Sequence, residues 1–328
     1  MTSVLLCAAY ENRIEEFADG MLDGVFTDMP YNVSELSATD QEIGFAHNRS
    51  AIQRYVGNWD RGFSPVHLID AAARKIKPGG WFISSCSDRQ ITLLRDILSG
   101  DHTTTRSYLE WMASIGVLSK AVAEEAEERI PECSGAFDYK ATITWRKTNP
   151  GTSVRKSTLI FATEYVVVAR RKNYDGTPAK PVAFNWIGTV EMHNAFFETP
   201  RTSNAERLYW HANNPIYDGE DIVDAESIEV CPGYAKCSRC KSGDKPMRHL
   251  AQKPLEFWKY LYDRYTLPGM KVYDPFAGVG SGGVQARVSE LEWVGTEILP
   301  IYAKVGQMWL GGAWSAAHSE EIEQGRMW

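Results

Sequence analysis

Lys271-Val272-Tyr273-Asp274-Pro275-Phe276-Ala277-Gly278-Val279-Gly280-Ser281 decides how this chain is read. A short apolar strand ends in an acid and a glycine turn, and Val284-Gln285-Ala286 then begins a helix. That order brings backbone N–H groups and a helix N-terminus close to a polar ligand. A second acid, Glu297, follows 23 residues after Asp274, behind Trp293-Val294-Gly295-Thr296, which reads as the next strand. An acid at that place suits ribose hydroxyls in nucleotide-binding α/β sheets. Far upstream, Gly24-Val25-Phe26-Thr27 reads as another strand and runs into Asp28-Met29-Pro30-Tyr31. Two strand ends, one near each terminus, therefore present an acid and a turn.

At 328 residues the chain can bury one large core or two modest ones, so a single catalytic domain with an inserted lobe fits. Its 44% hydrophobic and 23% charged residues are ordinary for a globular protein. No apolar run approaches the roughly 20 residues that span a bilayer. Met1-Thr2-Ser3-Val4-Leu5-Leu6-Cys7 lacks the basic region of a secretory signal and reads as a first strand, so the expected location is cytoplasmic. The formal charge of −7 speaks against non-specific nucleic-acid binding, but the charge is uneven. Lys140, Arg146, Lys147, Arg155, Lys156, Arg170, Arg171 and Lys172 stand against one acid, Glu164. Lys236, Arg239, Lys241, Lys245 and Arg248 form a second basic cluster. Alone, each reads as a solvated face; beside a nucleic-acid chemistry motif, it reads as a phosphate-contacting track.

Residues 1–31 give two short strands around a helical stretch, and residues 32–62 a long polar loop over a site. Val66, Ile69, Ala72, Ala73 and Ile76 have helical spacing, with Pro78-Gly79-Gly80 as the stop and Trp81-Phe82-Ile83-Ser84 as the next strand. Thr105–Arg129 reads as one helix closed by Pro131. Ala141–Trp145 and Tyr165–Ala169 have the β-branched content of buried strands. Short irregular runs rich in Pro, Asn and Gly mark 173–245 as an inserted lobe. Leu255–Tyr265 reads as a helix leading to the glycine turn.

The Asp28 tetrapeptide together with Asp274–Gly280 resembles the amino-group DNA methyltransferases, in the β-type order with the catalytic motif first and the cofactor loop last. Asn58-Trp59-Asp60 with Phe63, Lys77-Pro78-Gly79-Gly80, Trp145-Arg146-Lys147 with Asn149-Pro150, and His249 with Gln252-Lys253-Pro254 extend the similarity over about residues 20–170 and 247–305. It implies an α/β, Rossmann-like methyltransferase sheet with permuted motif order and an inserted target-recognition lobe. Residues 1–172 would form the catalytic part, 173–245 the lobe and 246–328 the cofactor-binding part.

S-adenosyl-L-methionine is the implied cofactor, held by Asp274, Phe276, Ala277, Gly278, Gly280, Ser281 and Glu297 with Lys253 and Pro254. Double-stranded DNA is the implied partner, a homodimer is an admissible assembly, and restriction–modification is the implied setting. Asp28, Met29, Pro30 and Tyr31 would be catalytic. An exocyclic base amine is a poor nucleophile because its lone pair is delocalised into the ring. The Asp28 carboxylate and the Met29 carbonyl can each accept an amine proton, and Tyr31 can stack on a base swung out of the duplex. The family usually has proline where this chain has Met29, which frees φ and adds an N–H. Asp at the first position resembles adenine-N6 enzymes, whereas Ser is commoner in cytosine-N4 enzymes. Cytosine N4 remains the alternative, as does a DNA-binding protein that keeps the fold without the activity.

Six cysteines in such a chain read as thiols or metal ligands rather than disulfides. Cys231, Cys237 and Cys240, spaced C-x5-C-x2-C, could hold three corners of a zinc tetrahedron, with His249 or a distant Cys as the fourth. The plain alternative is three thiols in an irregular loop. His47 and His211 read as core or surface residues, and Cys7, Cys86 and Cys133 as core or incidental.

Overall fold

The computed structural model describes residues 2–31, 63–114, 120–133, 135–148, 163–188, 196–199, 207–218, 221–232, 236–249 and 251–312. The long loop expected at 32–62 and the basic pair Arg155-Lys156 lie outside these residues.

The chain runs β1 (Ser3–Cys7), α1 (Tyr10–Ile14), β2 (Leu22–Asp28), α2 (Pro65–Lys75), β3 (Ile76–Cys86), α3 (Ile91–Ser99), α4 (His102–Ser114), α5 (Lys120–Cys133), β4 (Phe137–Lys147) and β5 (Thr163–Arg171). It continues through β6 (Phe196–Thr199), β7 (Trp210–Asp218), β8 (Asp221–Val230), α6 (Ser238–Lys241), α7 (Leu255–Tyr265), β9 (Lys271–Asp274), α8 (Ser281–Val288), β10 (Glu292–Glu297) and α9 (Pro300–Leu310). Among the described residues, eight strands form one sheet in the order β1-β10-β9-β2-β3-β5-β4-β6. Its pairings are parallel except for those that β5 makes with β3 and β4.

Successive residues of the inner strands enter opposite cores, as the two-residue period of a strand requires. Val25, Phe82, Val167 and Tyr273 join one apolar cluster with Val66, Ile69 and Ala72 of α2 and Leu94 and Ile97 of α3. Phe26, Ile83, Val168 and Val272 join the other with Phe257, Trp258, Leu261 and Tyr262 of α7 and Ala286 of α8. Both faces are thus covered, which is why these strands read as continuous apolar runs. Among the described residues, no helix is long and apolar enough to cross a membrane.

Two expectations are corrected locally. The segment Pro78-Gly79-Gly80 does not separate helix from strand: β3 already begins at Ile76. Leu22 pairs with Ile76 but Gly24 with Trp81, so Pro78-Gly79-Gly80 forms an irregularity inside β3. Proline lacks a ladder donor and Gly79 adopts φ +82°, conditions that a bulge tolerates. The helix expected over Thr105–Arg129 is two helices, α4 and α5, with Pro131 inside the second. Gly116, a weak helix former, falls between them in the sequence.

The expected lobe at 173–245 is divided. Its first part is strapped to the main body: Val182 N–H donates to the Gly79 carbonyl at 3.0 Å, and the Trp81 indole to the Ala183 carbonyl at 2.8 Å. β6 pairs with β4 as the last strand of the large sheet. What stands apart is the β7–β8 hairpin with α6, and its side chains Ile228 and Val230 pack with Val305 and Tyr302 of α9.

Candidate active site

Because β9 lies directly beside β2, the two acid-bearing strand ends become neighbours. Thr27 Oγ1 donates to Asp274 Oδ1 at 2.9 Å across this junction, joining segments 247 residues apart. Asp274 is fully buried. Its Oδ1 also accepts from Phe276 N–H at 3.2 Å, while Oδ2 has no hydrogen-bond partner. Burial pushes this carboxyl up to about 7, against the smaller opposing effect of the Thr27 and Phe276 donors.

The loop after β9 is shaped by two glycines with left-handed backbone, Gly278 at φ +54° and Gly280 at φ +79°. At Gly278 an added Cβ would also meet the His249 ring at 3.4 Å. Glu297, at the end of β10, accepts Gly278 N–H at 3.1 Å and Leu299 N–H at 2.8 Å. Burial raises it to about 7, although those backbone donors favour its ionised form. Phe276 stands edge-on to Tyr10 and Phe63, with ring centroids 5.0 and 5.1 Å away, which gives the loop an aromatic wall. Ser281 is taken up internally, its Oγ accepting from the Trp258 indole at 2.9 Å.

At the end of β2, Asp28 is the hub of a polar network. Its Oδ1 accepts from Tyr31 at 2.8 Å and from Ser85 Oγ, and its Oδ2 pairs with Lys253 Nζ at 2.8 Å. Tyr31 and Ser85 hydroxyls lie 2.6 Å apart. Lys253 also reaches Glu164 Oε2 at 2.7 Å, and Lys147 pairs with the other Glu164 oxygen. Burial opposes the charge on Lys253, yet Asp28 and Glu164 outweigh it and hold the ammonium protonated. Glu164 likewise pays for burial, but Lys253 and Lys147 hold it below the usual carboxylate range. Gln90 donates to the Pro30 carbonyl at 3.2 Å and so supports the turn. Met29 sends its side chain into the first core, where it is buried.

The structure therefore gathers Asp28, Met29, Pro30 and Tyr31 on one side and Asp274, Phe276, Ala277, Gly278, Gly280 and Glu297 on the other. Lys253, expected with the cofactor loop, is ion-paired to the Asp28 side. Pro254 is the residue before α7. Ser85, Gln90, Glu164 and Lys147 were not foreseen as site residues. Glu164 carried a signal, the single acid within a basic stretch. Part of the expected basic track serves the fold: Arg171 donates to the carbonyls of Ala73, Ala136 and Lys172, and Arg170 faces Asp138 at 3.6 Å.

The metal expectation is corrected in one ligand. Cys231, Cys237 and Cys240 do converge, but the histidine beside them is His211. His249 instead packs its ring against Tyr302, centroids 4.5 Å apart, above the glycine loop.

A mainly parallel sheet, covered on both faces and bearing a glycine loop and paired acids at its carboxyl edge, defines an α/β enzyme of the nucleotide-cofactor type. The DNA methylase family model, covering the N6/N4 enzymes, matches residues 22–308, and the chain belongs to that family. The crystal structure of the M1.HpyAVI–SAM complex shares the fold at a TM-score of 0.50 and 17% identity, over 93% of this chain and 98% of that one. The cytosine-N4-specific PvuII DNA methyltransferase does so at 0.50 and 14%, over 94% and 86%. The Escherichia coli (strain K12) protein that carries the name "Putative methylase YubD" is 36% identical over 77 residues, 24% of this chain and 32% of the relative's length.

Proposed function

We propose that this protein transfers a methyl group from S-adenosyl-L-methionine to an exocyclic amine of a base in double-stranded DNA, with adenine N6 as the target. The observation that carries the proposal is the Thr27–Asp274 bond, which sets a candidate cofactor acid and a candidate catalytic acid on adjacent strand ends.

The residues suit that cofactor. The buried, unpartnered Oδ2 of Asp274 is an acceptor awaiting a donor, and a cationic donor would return its carboxyl to the ionised state. Glu297 at the neighbouring strand end suits ribose hydroxyls, and the Phe276 wall suits a flat base. When bound, S-adenosyl-L-methionine supplies an electrophilic methyl on a sulfonium.

The protein's part is to prepare the amine. Asp28 Oδ1 and the Met29 carbonyl accept hydrogen bonds from its two N–H groups, which localises the nitrogen lone pair and directs it toward the glycine loop, and the nitrogen sheds one of these protons to solvent once it is methylated. Lys253 keeps a positive charge against Asp28 Oδ2, so the carboxylate remains an acceptor. Tyr31 leaves Asp28 Oδ1 as the base enters, stacks on it and frees that oxygen for the amine. Asp rather than Ser at position 28 favours adenine over cytosine. Treating unmethylated DNA with the protein and cofactor, followed by hydrolysis and nucleoside mass spectrometry, tests this. N6-methyladenine is the expected product; N4-methylcytosine would move the target, and no methylated base would refute the activity.

A further inference from the structure

We propose that His211, Cys231, Cys237 and Cys240 form a structural zinc site that ties the β7–β8 hairpin to α6. The four residues come from three separate places, and each is no more than 3% exposed. Their candidate ligand atoms all lie within 4.8 Å of one another. A zinc tetrahedron with bonds of about 2.3 Å to sulfur and about 2.0 Å to nitrogen has edges of roughly 3.8 Å between sulfurs and 3.5 Å between sulfur and nitrogen. Here Cys231 Sγ and Cys240 Sγ are 3.5 Å apart, and His211 Nε2 lies 3.3 Å from Cys237 Sγ and 3.5 Å from Cys240 Sγ.

A second, independent observation concerns the other ring nitrogen. His211 Nδ1 lies 3.1 Å from Asp244 Oδ2, out of line for a hydrogen bond, and Arg239 Nε holds that carboxylate oxygen at 2.7 Å. A carboxylate at that distance favours a proton on Nδ1 electrostatically, which leaves the Nε2 lone pair on the side of the three sulfurs. Three cysteines and one histidine leave no open position, so the site is structural rather than catalytic.

The clasp would add to the packing of the hairpin on α9, since a two-stranded hairpin is marginal in water without such support. At its open end Trp210 pairs with Val230, and Cys231 N–H donates to the Tyr209 carbonyl at 2.9 Å. The metal would fasten this end to the Cys237–Cys240 turn. Residues on β7 alternate, so His211 serves the metal while its neighbour Trp210 packs with Val279 of the glycine loop. The proposal is independent of the reaction, because it rests on the four side chains alone.

Full-length protein, purified without chelator or added metal, should contain one equivalent of zinc by inductively coupled plasma mass spectrometry. X-ray absorption at the zinc edge should give three sulfur neighbours and one nitrogen. His211→Ala and Cys237→Ser should lose the zinc, whereas His249→Ala should keep the full equivalent. Mercurial titration of wild type should release zinc together with three thiols. Metal-free protein with three free thiols, a Cys231–Cys240 disulfide, or an oxygen-rich zinc shell would each overturn the proposal. The absorption measurement on wild type decides the matter even if a variant fails to fold.

Discussion

Asp274→Asn separates what this acid costs the fold from what it gives the site. The side chain is fully buried and keeps its proton up to about pH 7 instead of 3.8, chiefly through desolvation. At 1.36 kcal/mol per tenfold change in proton affinity, ionising it in the folded state costs about 4 kcal/mol. The sign follows from proton counting. Between pH 4 and pH 7 the native state binds this proton and the unfolded chain does not, so the Asp274 contribution to stability falls as pH rises through that window. Asparagine has the same shape, can still accept from Thr27 and Phe276, and does not titrate. The variant should therefore match wild type near pH 4 and exceed it by up to about 4 kcal/mol above pH 7. Glu297 titrates in the same range, so the quantity to read is the difference between the two proteins in urea unfolding at several pH values. Cofactor affinity should move the other way. Losing a charge-assisted bond at Oδ2 costs about 1.5–3 kcal/mol, on the order of 10- to 150-fold weaker binding by calorimetry at pH 8. An Asn variant that is no more stable at pH 8 than at pH 4 relative to wild type, yet binds the cofactor normally, would refute both halves.

Asp28→Ala should cut methyl transfer by about 10²–10³-fold or more and leave cofactor affinity nearly intact, since Asp28 is assigned to the amine. Near-normal turnover with radiolabelled cofactor would remove that assignment. Glu297→Ala should weaken cofactor binding by about 1.5–3 kcal/mol, measured by calorimetry. An unchanged affinity would give Glu297 only its role of bracing Gly278 and Leu299. Lys253→Met leaves Asp28 and Glu164 facing one another without the shared cation and should destabilise the fold by about 3–5 kcal/mol. Adding Glu164→Gln should restore part of that loss in chemical denaturation; strictly additive effects would show that the two side chains do not couple. Gly283→Ala places a Cβ 2.6 Å from the Trp293 ring and should cost roughly 1–3 kcal/mol in thermal unfolding, and a neutral result would mean that Trp293 moves aside freely.

The features legible in sequence are those whose geometry is local. An acid, a glycine turn and a helix start occupy consecutive positions around Asp274, and β2 runs straight into the Asp28 turn, so neighbours alone disclose them. Glu164 enters the site only because β5 runs antiparallel to β3, pairing Cys86 with Tyr165 and so bringing the end of β5 to the Asp28 turn. No spacing rule carries that register. His211 was hidden for a similar reason: it lies on β7, and only the pairing of Trp210 with Val230 sets it beside Cys231. A hairpin read from the alternation around residues 210–230 would have exposed it. His249, by contrast, was drawn toward the cysteines by sequence proximity, while the folded chain turns its ring to Tyr302. Composition around residue 173 does not reveal that Val182 and Ala183 dock on Gly79 and Trp81.

The position of β9 between β2 and β10 also sets a clock for biosynthesis. β2 leaves the ribosome with one flank destined for β3 and the other for a strand that begins at Lys271, 243 residues after Asp28. At about 5–20 residues per second, that flank waits roughly 10–50 s for its partner. During the wait an apolar strand edge is open to pairing with other chains. β1 waits longer still, because β10 is its partner. A ribosome that stalls before Lys271 would release a chain whose Asp28 turn has β3 on one side and no β9 on the other, which makes translational pausing ahead of that codon a direct hazard to solubility.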